Sequence, residues 1–299
     1  MISLQAWRAQ GETFNYQGWP VFTRRGGNPQ GPALLLIHGF PTASWDWNKV
    51  WPLLGKRYAL YTLDMLGFGD SAKPKRFAYR IQDQADLIEA WLQQAGVQDY
   101  HVLAHDYGDT VAQELLARHL ERQQKDAAVT MPVLHSVCFL NGGIIPETHR
   151  ALPIQKLLLS PVGPLLARLT SKKRLAANLT AVFGPDTPPS DEEIDTFYTL
   201  ASQNGGLAVT PKLLTYMPQR RRHRQRWVGA LCNTPLPVKL INGPQDPVSG
   251  GHMVSHYRDL VPDADITLLK GIGHYPQMED PQMVVDAYLK FRAHHKPKG

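Results

Sequence analysis

Asp106 sits in the run YHVLAHDYGD, Tyr100 to Asp109, where a strand-like apolar stretch passes directly into the helical pattern TVAQELLARHL. A sharp strand–turn–helix lifts the side chain at its apex above the end of the strand, where the N-terminus of the helix favours an anion. A carboxylate presented there can act as a nucleophile, whereas serine is the residue for acyl transfer. The competing reading is that Asp106 only caps the helix, since Asp is a favoured cap. Two distant residues weigh against it. Asp246 in GPQDP and His274 in GIGHYPQMEDP each follow a predicted strand, and the chain order is nucleophile, acid, histidine. His252 and His256 fall in a helical pattern and His294 and His295 in the tail, so His274 is the best placed of the 12 histidines. Asn141, after another strand, cannot serve as the acid, which leaves Asp246.

The third element is HGFP, His38 to Pro41, at the end of a strand. Backbone N–H groups of Phe40 and Tyr107 would form an oxyanion hole. His38 is read as orienting this loop, and His38, His149 and Tyr198 are candidates to line a substrate site. The turn DMLGFGDS lacks the GxGxxG spacing of a dinucleotide site, so no cofactor is implied. His, Cys, Asp and Glu do not cluster at metal-ligand spacing, so no metal site is expected.

These residues need a sheet to position them. ALLLIHG (Ala33 to Gly39), YALYTLDMLG (Tyr58 to Gly67), YHVLAHDYGD and HSVCFLNGG (His135 to Gly143) alternate with helical patterns such as LIEAWLQQAG, the sign of βαβ units and a mostly parallel sheet. Strands resume with PVKLINGPQD (Pro237 to Asp246) and DITLLKGIGH (Asp265 to His274), and MVVDAYLKFRAHH closes the chain as a helix. From Glu147 to about Leu231 the pattern is helical, with a capping box at Ser190 and Glu193. The expected organisation is a core of residues 1–146 and 232–299 with a helical cap of residues 147–231. PIQKLLLSPVGPLLARL, Pro153 to Leu169, is interrupted by Pro161, Gly163 and Pro164 and is read as a cap-helix pair at a pocket mouth rather than a membrane-surface helix.

Composition narrows the field. Among 299 residues, 43% are hydrophobic and 19% charged, which excludes a disordered chain, and no apolar run is long enough to span a membrane. Two cysteines, Cys138 and Cys232, and the absence of a signal-like N-terminus suggest a cytoplasmic protein. The net charge of +6 is concentrated in RRRHRQR, Arg220 to Arg226, read as the solvated face of a helix with no nucleic-acid role.

Taken together, HGFPTASWDW, LDMLGFGDSAKP, HDYGD and GHYPQMEDP resemble the epoxide hydrolase and haloalkane dehalogenase branch of the α/β-hydrolase superfamily. HDYGDTVAQELL, NGGIIPETHR and RQRWVGAL add a narrower likeness to the mesoderm-specific transcript protein subgroup. The resemblance implies an α/β-hydrolase fold and an Asp106–His274–Asp246 triad forming a covalent alkyl ester, which water activated by histidine then hydrolyses. It implies a small apolar substrate with an electrophilic carbon. In epoxide hydrolases two cap tyrosines protonate the leaving oxygen. Tyr216 matches one; the other place has no tyrosine, and Tyr198 and His149 are the substitutes. Dehalogenases instead hold the halide with a tryptophan after the nucleophile and an asparagine or second tryptophan, where this chain has Tyr107 and Phe40; nor does an arginine follow the nucleophile, as in haloacid relatives. Epoxide hydrolysis leads, with dehalogenation and a catalytically weak binding protein as alternatives. Oligomeric state is not legible.

Overall fold

The computed structural model describes residues 1–125 and 131–295. The chain opens with an antiparallel hairpin, β1 (Gly11–Tyr16) and β2 (Trp19–Gly27), which the sequence reading had not assigned. Its turn is Gln17-Gly18, both at positive φ, the conformation that matches the twist of a two-residue hairpin. β3 (Ala33–Ile37), β4 (Ala59–Leu63), β5 (Asp99–His105), β6 (Val133–Leu140), β7 (Val238–Asn242) and β8 (Asp265–Leu268) follow. One sheet holds all eight, in the order β1-β2-β4-β3-β5-β6-β7-β8. β2 pairs antiparallel with β4, and β3 to β8 are parallel.

Parallel strands covered on both faces read as nearly continuous apolar runs, and β3 shows why. Leu35 and Ile37 point into one core, while Leu34 and Leu36 point into a second core on the other side. Each such side chain contributes roughly 1.5–3 kcal/mol relative to staying exposed. β5 alternates likewise, with Tyr100, Val102 and Ala104 on one face and Leu103 on the other.

All helices from Pro153–Leu158 to Arg224–Asn233 lie between β6 and β7. The Ser190 capping box forms as read: Ser190 Oγ accepts from Glu193 N–H and Glu193 Oε2 from Ser190 N–H. Arg224–Asn233 packs on Tyr107–Gln124, tying the insertion to the core. Among the described residues, no helix is long and apolar enough to cross a membrane.

Candidate active site

β5 ends at His105, and the helix Tyr107–Gln124 begins one residue beyond Asp106. Asp106 occupies the turn with φ 47° and ψ −104°, a strained conformation outside the common regions, where Asp is better tolerated than branched residues. Two glycines permit the close approach. A Cβ on Gly108 would lie 2.5 Å from the Ile37 carbonyl, and one on Gly39 would lie 2.5 Å from His105 Nδ1. The Asp106 carboxylate makes no capping bond to its helix. Its Oδ2 accepts instead from the Phe40 N–H at 3.1 Å, and its Oδ1 from the Tyr216 hydroxyl at 3.4 Å. The Tyr107 amide, first in the helix, has no intrahelical acceptor.

His274 follows β8 and Asp246 follows β7, and their side chains meet with Nδ1 donating to Asp246 Oδ2 at 2.8 Å. Asp246 also accepts from Ser249 Oγ (2.7 Å), Val248 N–H (2.7 Å) and Asn141 Nδ2 (3.0 Å). Asn141 is thus no acid but an orienting donor, at positive φ beyond β6. Burial opposes the charge on Asp246, yet His274 and these donors hold its carboxyl at about 2. Burial likewise opposes imidazolium, but Asp246 first and Asp106 with it outweigh that and raise His274 to about 9. The His274 loop is fastened from several sides. His274 N–H donates to Val182 O at 2.8 Å, and Glu279 accepts from the amides of Gly184, Gly273 and Tyr275. Glu279, like Asn141, was not singled out in the sequence.

Asp106 and His274 open on a cavity of about 320 Å³ whose walls include Leu158, Leu175, Val182 and Phe40. Apolar walls with a few convergent polar groups suit a small apolar ligand. The sequence profile of the α/β hydrolase fold matches residues 32–281. The chain belongs to the α/β hydrolase fold family. The human mesoderm-specific transcript homolog protein is 41% identical over 300 residues, covering 97% of this chain and 88% of that protein. Two solved structures share this hydrolase fold. A haloalkane dehalogenase loop variant from Bradyrhizobium elkanii has a TM-score of 0.79 at 20% identity, covering 95% of this chain and 96% of that one. The epoxide hydrolase CorEH has a TM-score of 0.73 at 20% identity, covering 96% and 99%.

Within this hydrolase the basic run departs from the reading of a solvated face. It spans two helices, Tyr216–Arg222 and Arg224–Asn233, and Arg226 is bonded to Glu114 and Glu121. Arg220 is buried because helical spacing puts it on the face of Tyr216, four residues earlier. Its Nε donates to Thr110 Oγ1 (2.7 Å) and its Nη2 to the Asp106 carbonyl (3.2 Å), with Nη2 3.7 Å from Asp106 Oδ1. Its guanidinium carbon lies 4.4 Å from the centre of the Tyr216 ring. Arg220 therefore braces both the carboxylate and the phenol. Removing one member of a buried charged network costs about 3–5 kcal/mol, so Arg220→Met should lower the unfolding free energy by about 3 kcal/mol. The exposed neighbour change Arg222→Met should stay within about 0.5 kcal/mol. Urea denaturation of both variants checks the contrast.

Tyr198 and His38 are not brought to the cavity. Tyr198 packs beside the core cluster of its own helix, which includes Phe197 and Leu200. His38 spends both ring nitrogens on the backbone, Nδ1–H donating to Gly39 O and Nε2 accepting from Met65 N–H. His149 lies behind Arg220, 3.5 Å from its Nη1, and burial followed by that cation lowers it to about 3. In the DMLGFGDS turn, Asp64 accepts from the Asp70 amide within the turn and from the Ser44 amide outside it.

Proposed function

We propose that this hydrolase opens an epoxide to a vicinal diol through an ester on Asp106. The observation that carries the reading is the Tyr216 hydroxyl 3.4 Å from Asp106 Oδ1: a phenolic proton donor stands directly beside a carboxylate that lines an apolar cavity. Burial raises the Tyr216 phenol, and Asp106 raises it further, so it stays protonated. An Asp106 oxygen attacks a ring carbon, the ring C–O bond breaks towards oxygen, and that oxygen takes the Tyr216 proton. Water then gives a proton to His274 and adds to the ester carbonyl, whose oxyanion lies at the Phe40 and Tyr107 amides. Collapse expels the diol, protonated by His274, and the proton left on Asp106 returns to Tyr216.

Alkylation also removes the Asp106 charge that helps to hold His274 protonated. The imidazolium therefore gives up its proton to solvent more readily, leaving a neutral imidazole able to accept a proton from water at the step that needs a base. Residues 147–231 act in this reading as the cap that supplies Tyr216 and Arg220. Dehalogenation is the alternative, but the side chains of Tyr107 and Phe40 offer a halide neither the indole nor the carboxamide donor that the resemblance assigns to that branch. Product analysis of the wild-type chain with matched epoxides and haloalkanes tests the choice: diol formation is expected, and halide release without diol formation would overturn it.

A further inference from the structure

Monomeric proteins scatter their exposed leucines; a cluster at a cavity mouth marks a contact surface. Of the ten large apolar side chains exposed among the described residues, five, Leu157, Leu159, Val162, Leu165 and Leu169, fall in one short stretch. The stretch holds two packed helices, Pro153–Leu158 and Gly163–Arg168, with Gly163 buried in their turn. Leu157 and Leu166 also line the cavity that contains Asp106 and His274, so the exposed cluster is its outer lip. The prolines that interrupt the sequence pattern break one helix into two and leave both on this lip.

Charge along this part of the chain has one sign. Between Glu147 and Asp186 the chain has six Lys and Arg and no Asp or Glu. Lys172 is paired with Asp195, while Arg150, Lys156, Arg168, Lys173 and Arg174 are exposed and have no carboxylate within 4 Å among the described residues. A second cavity of about 500 Å³ has His149, Arg150, Lys156, Leu159 and Arg221 among its walls. A second copy of this chain is a poor occupant, because a two-fold contact would set the same cations against each other. An anionic bilayer complements both features, taking leucine side chains at the acyl boundary and cations at the headgroup phosphates.

We propose that the face carrying Leu157, Val162, Leu165 and Leu169 docks on the surface of an anionic bilayer, so that an apolar substrate enters the cavity from the lipid. The proposal does not depend on which bond the site breaks. Flotation of the full chain with vesicles of phosphatidylcholine, with and without phosphatidylglycerol, tests it. The chain should float with phosphatidylglycerol vesicles at low salt, and about tenfold less with phosphatidylcholine alone or at high salt. The double variant Leu165→Gln/Leu169→Gln, at exposed positions outside the cavity wall, should melt like wild type and float about tenfold less. Failure to float with phosphatidylglycerol vesicles, or flotation unchanged in the double variant, overturns the proposal. So does a dimer in light scattering that the double variant dissociates, since a second copy would then cover the face.

Discussion

Asp106→Asn should lower turnover by a factor on the order of 10⁶, the loss seen when a nucleophile is removed from a site whose groups act together. The fold should survive, because Asn tolerates the positive φ at this turn as well as Asp does. A second readout is independent of substrate. With the Asp106 charge gone and burial unchanged, His274 should titrate below its value of about 9, which NMR of the imidazole would show. The sign for stability follows. A folded value above that of free histidine stabilises the protein below about pH 6.5, and this contribution is lost as pH rises towards the folded value. Asp106→Asn should therefore bring the alkaline loss of stability to lower pH, as unfolding midpoints measured across pH would record.

Tyr216→Phe should slow epoxide opening by about 10²–10⁴, the usual contribution of a positioned general acid. Hydrolysis of a preformed ester should be nearly unaffected, because Tyr216 faces Asp106 Oδ1, whereas Phe40 N–H faces Oδ2. Single-turnover kinetics separates the two steps. No slowing of either step would mean that Tyr216 only packs the site, through its ring contacts with Phe40 and Tyr107. Phe in place of Tyr keeps that packing and removes the hydroxyl alone.

Much of this arrangement was legible because each triad candidate follows a strand with strong apolar content, and β3 to β8 all begin within two residues of their expected starts, while the loops that carry Asp246 and His274 begin earlier than expected because β7 ends at Asn242 and β8 at Leu268. The β1–β2 hairpin was missed because β1 has an exposed face and buries only Phe14 and Tyr16 at its far end, so its apolar signal is short. Arg220 was missed for a different reason. A run of arginines reads as solvent-facing, and only the docking of a two-turn helix reveals which one turns inward beneath Tyr216. Asn141 acts on Asp246, more than a hundred residues away, and Glu279 ties its own loop to the distant Gly184 amide, contacts that local spacing does not reveal. Tyr198 shows the converse: helical spacing beside Ile194 and Phe197 placed it with core residues, away from the cavity.

The central claim is that a carboxylate forms a covalent ester with substrate, and the most direct measurement is intact-protein mass spectrometry of His274→Gln incubated with epoxides. Without the base, water is not activated and the alkyl enzyme should accumulate. The predicted result is a gain equal to the whole epoxide, mapped by peptide analysis to Asp106 and absent from the His274→Gln/Asp106→Asn double variant. A folded His274→Gln protein that turns epoxide into diol without ever carrying that mass, or that carries it on another residue, would contradict the account.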